Sequence, residues 1–325
     1  MSHRVKFAIT GLGNIGKRHA QVVWQNEECE LVAVIDRENT TNEFNVPHFN
    51  SLKDFFNANI EVDVVTIATP NGIHAEQGLE VLSHNKHVLI EKPIALKVAD
   101  AEMLIQKSLE MDRKVFTVMQ NRYAPASKWL KELIESGVLG KIFIVQVNCF
   151  WNRDNRYYTK SSWHGSKKLD GGTLFTQFSH FVDILYWLFG DIKNIKAKFA
   201  DFNHESLTEF EDSGFINFDF VNGGVGSLNY STSVWNKNLE SSLTVIAENG
   251  TLKVAGQYMD KVEYCNIKDY EIPALEETTI ADKKQNHSYV IANVVDVLNG
   301  RAECTSTVEQ GLEVVRIISD IYSAG

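Results

Sequence analysis

Proline occurs 5 times and cysteine 4 times in 325 residues, and glycine only 20 times. Such scarcity excludes a collagen-like or low-complexity chain. Cys29, Cys149, Cys265 and Cys304 include no CxxC pair and lack the dense spacing of a disulfide framework, so they read as reduced structural thiols and no metal site is expected. No stretch of 18 apolar residues occurs, which excludes a membrane-spanning helix and makes a cytoplasmic protein the expectation. Positive charge is short as well: Lys+Arg number 32 against 42 Asp+Glu, a formal net charge of −10. That field opposes a phosphate backbone or an anionic bilayer, so neither nucleic acid nor membrane is an expected partner.

What is present is a globular composition, with 44% hydrophobic and 23% charged residues. At roughly 150 residues per domain the length predicts about two domains. Over the first third, short apolar runs at 5–10, 31–35, 62–69, 87–90 and 115–119 alternate with helical spacing at 14–26, 74–83 and 98–111. Strands alternating with helices predict right-handed crossovers and an α/β Rossmann domain, a doubly wound parallel sheet, over residues 1–121. Beyond it, helices are expected at 125–136 and 172–189. Period-two strands are expected at 141–150, 195–202, 214–221, 225–233, 239–247 and 251–255, several joined by glycine turns. Residues 122–325 therefore read as an α+β domain with a largely antiparallel open sheet, closed by helices at 288–298 and 308–322.

Gly11, Gly13 and Gly16 form a GxGxxG that follows a strand and opens a helix. The first glycine permits the tight turn, the second admits a pyrophosphate to the backbone N–H groups, and the third permits close packing of helix on strand. Asp36 ends the second strand 20 residues past Gly16, where a carboxylate grips a ribose 2′-hydroxyl. That favours NAD; Arg37 beside it keeps NADP as the less favoured cofactor. Asn14 and Ile15 complete the loop on the cofactor side. Thr69, Pro70 and Asn71, then Glu91 and Lys92, lie at carboxyl ends of strands, where open α/β sheets bind ligands. His74, which opens the next helix, joins the same cofactor-binding set. A lysine there can hold a substrate hydroxyl and stabilise charge building on its oxygen; a surface lysine paired with Glu91 is the plainer alternative. Thr176, His180, Asp183 and Trp187 recur at helical steps on one face. His180 is a candidate proton acceptor with Asp183 fixing its orientation, or else a core histidine with a carboxylate partner.

Taken together, these residues resemble the Gfo/Idh/MocA oxidoreductase family. The resemblance spans nearly the whole chain, through Asp36-Arg37, the segment VDVVTIATPNGIHAEQGLEVLSHNKHVLIEKPIAL at 62–96, ESGVLGKI at 135–142 and GGTLFTQFSHFVD at 171–183. It implies Lys92 and His180 as the catalytic pair, a Lys-Pro peptide that is often cis, and a sheet that pairs subunits into a homodimer or homotetramer. Two positions depart from the pattern. Thr176 stands where inositol- and glucose-type members carry an aspartate, and Trp163-His164 stands where many relatives have Trp-Arg reaching the cofactor.

The stretch 160–172 looks most like the branch that oxidises UDP-N-acetyl-glucosaminuronate at C3 for surface-polysaccharide synthesis. Arg153, Arg156, Lys160, Lys167 and Lys168, interleaved with Tyr157, Tyr158 and Trp163, suit an anionic sugar nucleotide, cations for charge and rings for stacking. A solvated basic loop is the alternative. Gln120, Asn121 and Arg122 follow the fifth strand. Gln120 joins Trp163 and His164 as candidates on the cofactor side; Asn121, Arg122, Arg153, Tyr158, Lys160, Thr176 and Gln177 join Lys92 and His180 on the substrate side. The expected activity is NAD-dependent oxidation of a ring hydroxyl of a sugar or nucleotide sugar. Oxidation of inositol, glucose or another free polyol is the competing activity, and a non-catalytic NAD-binding sensor the reading from another class.

Overall fold

The computed structural model describes residues 4–38, 44–273 and 286–325. The chain forms two compact units, Met1–Met119 with His287–Val315, and Gln120–Asn286 with Arg316–Gly325. A single boundary after residue 121 is expected from the sequence; the chain instead returns to the first unit at His287 and leaves it again at Arg316.

In the first unit six strands lie in the order β3-β2-β1-β4-β5-β6, with β1 Val5–Thr10, β2 Cys29–Ile35, β3 His48–Phe49, β4 Val64–Ile67, β5 His87–Ile90 and β6 Val115–Thr117. Every pair is parallel. Such strands are covered on both faces, which is why Val64, Val65, Thr66 and Ile67 are all buried in one unbroken run. The helices between them are α1 Asn14–Gln25, α2 Leu52–Asn57, α3 His74–Ser83 and α4 Val98–Met111. On α1, Gly16, His19, Ala20 and Val23 recur at the spacing of one helix face and are buried. Ser51 caps α2 by accepting the Asp54 N–H at 3.1 Å. The helix Asn286–Leu298 buries Val290, Ile291, Val294 and Val295 along one stripe. Neither β3 nor α2 is expected from the sequence, because two strand residues and six helical ones show no readable period.

The second unit carries β7 Ile142–Phe150, β8 Ile192–Ala200, β9 Ser213–Phe220, β10 Val225–Ser231, β11 Glu240–Ala247, β12 Gly250–Ala255 and β13 Lys261–Ile267, in the order β13-β12-β11-β7-β10-β9-β8. All neighbours are antiparallel except β7 and β10, which run parallel. The last strand, β13, is absent from the sequence expectation: exposed Lys261, Glu263 and Tyr264 interrupt its apolar pattern. One face of the sheet is buried through Val145, Val147, Phe218, Leu228, Tyr230 and Leu243. After helices α5 Pro125–Glu135 and α6 Asn155–Tyr158, helix α7, Ser179–Phe189, lies on that face, with Phe189 5.4 Å from Phe220 between ring centroids; Phe178, one residue before it, stands 5.4 Å from Tyr230. The other face presents Ile144, Phe215, Val225, Ile246 and Tyr264, all exposed.

A continuous α-helix is expected over 172–189, yet Leu174–Phe178 forms a π-helical turn before α7. Local anchors account for it. The Leu174 N–H donates to the Tyr322 hydroxyl at 3.1 Å, and the Thr173 hydroxyl to the Glu211 carbonyl at 2.5 Å. Glu211 in turn accepts from the hydroxyls of Tyr230 and Tyr322, each at 2.7 Å. Gly171 and Gly172 enter the turn with φ of 96° and 131°, and a Cβ on Gly172 would stand 3.0 Å from Cζ of Tyr322. Among the described residues no helix is long and apolar enough to cross a membrane.

His287 tests how the first unit responds to pH. Burial holds its imidazole down at about 3, with the neighbouring His19 adding to the effect. Above about pH 6.5 both folded and unfolded chains carry it neutral. As pH falls from there toward 3, the unfolded chain binds a proton that the folded chain resists, so stability falls. We expect urea denaturation at pH 7 and pH 5 to give a smaller difference for His287→Leu than for the wild type.

Candidate active site

In the first unit the candidate residues gather at the carboxyl edge of the parallel sheet. Gly11 follows β1 with φ of 85°, its N–H donating to the Ile35 carbonyl at 2.8 Å, and a Cβ there would lie 2.6 Å from the Ala68 carbonyl oxygen. Gly16 is equally confined, since a Cβ would run into the Gly11 carbonyl. Gly13 is different: it caps α1 with φ of −66°, is exposed, and a Cβ on it would meet nothing within 4 Å. Among the described residues no side chain caps α1, and no acid lies in its first turn, so its first N–H groups are left to a ligand as an anion site requires. Asp36 Oδ2 accepts the Leu12 N–H at 2.5 Å, and Oδ1 accepts that of Glu38 at 3.0 Å, tying the acid to the glycine loop. Asn14 and Arg37 are exposed, Ile15 half-buried. This open cradle, with a carboxylate at the end of β2, fits the phosphates and ribose of a dinucleotide.

Thr69, Pro70 and Asn71 follow β4, and the Thr69 hydroxyl donates to Gln77 at 2.7 Å. Glu91, Lys92 and Pro93 follow β5, and the Lys92–Pro93 peptide is cis. Lys92 is half-buried; Glu91 is buried, accepting from His19 Nε2 at 2.7 Å. Burial pushes the Glu91 carboxyl up, but the hydrogen bond from His19 and nearby positive charge, that of Lys92 included, more than offset this, leaving it at about 2. His74 is fully buried, with Nδ1 2.8 Å from the Pro93 carbonyl and Nε2 2.8 Å from that of Thr69. Glu91 and His74 thus both turn to protein groups. His19, not foreseen from the sequence, left one signal: a polar residue within the buried stripe of α1.

The second unit holds the remaining candidates. Gln120 and Asn121 are buried just past Met119. Gln120 Nε2 lies 2.9 Å from His180 Nε2, so the amide N–H donates to that imidazole nitrogen. A neutral histidine with the lone pair on Nε2 is the form a proton acceptor needs. Asp183 does not orient His180, as the sequence spacing suggests. It holds Arg122 instead, with Nε 3.0 Å from Oδ2 and Nη2 2.5 Å from Oδ1, both side chains fully buried. His180 and Asp183 keep their helical spacing on α7, but the carboxylate is claimed by a cation that approaches from outside the helix.

Of the cationic loop, Arg156 is bound to Asp154 at 2.7 Å, and Lys160, Lys167 and Lys168 are exposed. Tyr158 is buried. Arg153 is half-buried, its guanidinium 4.7 Å from the Trp151 ring centroid and 5.1 Å from that of Tyr157. Its Nε donates to Gln177 Oε1 at 2.7 Å, and Gln177 Nε2 donates to the Tyr157 hydroxyl at 2.8 Å. Among the described residues no carboxylate lies within ion-pair distance of Arg153. A part-buried cation without a counter-charge carries a desolvation cost that a bound anion would offset. His164 stacks on Tyr157 at 4.4 Å, and Trp163 tilts over His164 at 4.2 Å. Burial lowers the His164 imidazole, so it is neutral where an arginine would be charged. Thr176 donates a short hydrogen bond to the Asp170 carboxylate, which places a negative charge one bond behind the hydroxyl.

Residues 5–119 match the family described as oxidoreductase family, NAD-binding Rossmann fold, and residues 128–253 match the GFO/IDH/MocA C-terminal domain. An uncharacterized oxidoreductase of Synechocystis sp. is 26% identical over 83% of this chain and 74% of its own. The WlbA dehydrogenase of Bordetella pertussis, solved with NADH and UDP-GlcNAcA, is 29% identical with a TM-score of 0.90 over 100% of this chain and 96% of that one. Its counterpart from Chromobacterium violaceum, with the same two ligands, is 28% identical with a TM-score of 0.91, covering 100% and 94%.

Two outcomes follow from the geometry. Gly13→Ala lowers the melting temperature only slightly, alanine being a poorer N-cap than glycine, but weakens NAD binding about tenfold or more, read by calorimetric titration, because the methyl enters the open cradle. Arg122→Met costs about 3–5 kcal/mol in chemical denaturation, and Arg122→Met/Asp183→Leu regains much of it, since one buried charge no longer lacks its partner.

Proposed function

This chain belongs to the GFO/IDH/MocA oxidoreductase family, an NAD-dependent sugar dehydrogenase family, and from that premise we propose that it oxidises the 3-hydroxyl of a UDP-linked N-acetyl-hexosaminuronic acid. The observation that carries the reading is the full-length likeness, at 28% and 29% identity, to two dehydrogenases solved with NADH and UDP-GlcNAcA. The uncompensated Arg153 between Trp151 and Tyr157 supports it, since a sugar nucleotide brings both negative charge and rings.

The residues take these roles. Asp36 holds the adenosine ribose, and the N–H groups opening α1 hold the pyrophosphate. The bound dinucleotide supplies a hydride acceptor at C4 of its nicotinamide. His180 takes the hydroxyl proton at Nε2, displacing the Gln120 amide that now occupies it. Lys92 is the hydrogen-bond donor that stabilises charge growing on a substrate oxygen. Arg153, held by Gln177, meets an anionic group of the substrate. The exposed apolar face of the second sheet, through Ile144, Phe215, Val225 and Ile246, is the surface we assign to a second copy of the chain in a cytoplasmic homodimer or homotetramer, checked by light scattering of the purified protein.

Purified protein mixed with NAD and UDP-N-acetyl-glucosaminuronic acid is expected to generate NADH absorbance, in a burst if cofactor stays bound. Lys92→Ala and His180→Asn each lower turnover by ~10²-fold or more, the usual worth of a positioned acid or base. Activity with inositol or glucose and none with the sugar nucleotide would move the chain to free polyols, and near wild-type turnover in either variant would refute the role given to that residue.

A further inference from the structure

Lys92 lies between two residues that are each held by a different buried histidine, and all of these groups belong to the first unit. On one side the Glu91 carboxylate accepts from Nε2 of His19 at 2.7 Å. His19 stands on α1, the helix that opens at the glycine loop. On the other side the Pro93 carbonyl lies 2.8 Å from Nδ1 of His74, which opens α3. The second nitrogen of His74 lies 2.8 Å from the Thr69 carbonyl, so one imidazole spans the segments after β4 and after β5. Both histidines are completely buried, which leaves them no direct access to a ligand. Nor can His74 satisfy both carbonyls while neutral, because a neutral imidazole carries one N–H. Burial favours that neutral form and the two carbonyls favour the charged one, with burial the stronger.

A lysine needs such supports. Its ammonium sits on a flexible four-carbon stem, and a catalytic donor has to meet its target within about 0.5 Å. Contacts made by the lysine's neighbours are the ones that fix where the stem begins.

We propose that His19 and His74 are positioning residues for Lys92. His19, through the Glu91 carboxylate, fixes the chain before the lysine relative to the dinucleotide helix. His74, through the Pro93 carbonyl, fixes the chain after it relative to the Thr69 segment. Glu91 and His74, expected from the sequence to touch the cofactor, act on the lysine instead. The inference rests on the role given to Lys92 above.

The test uses His19→Leu, His19→Gln and His74→Leu in the full-length protein, with Glu91→Gln as a variant that keeps size but removes charge, and Lys92→Ala as control. Amine acylation of Lys92 across pH, followed by peptide mass spectrometry, reads the lysine without any substrate. Turnover with UDP-N-acetyl-glucosaminuronic acid and NAD affinity are read alongside. We expect His19→Leu and His74→Leu to shift the Lys92 labelling profile by about half a pH unit or more. In both, kcat drops about tenfold to a hundredfold, the cost of a donor misplaced by about 1 Å, with sugar KM changing far less. His19→Gln, whose amide can still donate to Glu91, recovers most of both. Should a leucine variant fail to fold, the same labelling shift in Glu91→Gln carries the test, and an unshifted profile there refutes the His19 arm. Unchanged labelling and kcat in His19→Leu and His74→Leu, with Lys92→Ala inactive, overturn the positioning roles alone. Full turnover in Lys92→Ala overturns the catalytic reading itself.

Discussion

The first unit depends on how closely α1 can approach the sheet. Gly11 stands against the Ala68 carbonyl, and Gly16 against the carbonyl of Gly11, with no space for a Cβ at either. Only that closeness brings the first N–H groups of α1 to the carboxyl edge of β1 and lets Asp36 accept the Leu12 N–H. The same helix carries His19 inward to Glu91. One steric allowance therefore places an anion site, a ribose acid and the support of a lysine.

Much of this was legible in the sequence. The spacing from Gly11 to Gly16 and on to Asp36 encodes local geometry, strand, turn, helix and strand, that needs no knowledge of distant contacts. The unbroken apolar run of β4 likewise announces a parallel, doubly covered strand. Partner choice among buried polar groups was another matter. Helical spacing puts Asp183 near His180, yet the approach of Arg122 gives the carboxylate a stronger partner, a bidentate cation. Nothing local to Arg122 signals this, because the two residues meet only through tertiary packing. His74 and Glu91 illustrate the same limit: a strand-end position marks the neighbourhood of a ligand, while the direction of a side chain is set by which carbonyl or imidazole is nearest.

In the second unit the contrast between Arg122 and Arg153 is instructive. Both guanidiniums are removed from water to different extents, but Arg122 has a carboxylate and Arg153 has aromatic faces and an amide. The first arrangement is complete in itself and contributes to the fold. The second leaves charge uncompensated, which is tolerable half-buried and becomes favourable when an anion arrives. Composition treats the two arginines alike; counter-charge separates them.

The parallel pairing of β7 with β10 carries a consequence for how this unit can fold and diversify. Two parallel neighbours cannot be joined by a tight turn, so residues 151–224, with Arg153, the π-turn, His180 and the β8–β9 pair, form one long crossover between adjacent strands. Contacts that close so wide an excursion are non-local, and chains rich in them fold slowly. In return, the backbone ladders that join β7 to β10 and β11 use no residue of the crossover. Substrate preference can therefore drift by point change within one excursion while the sheet that supports it keeps its register.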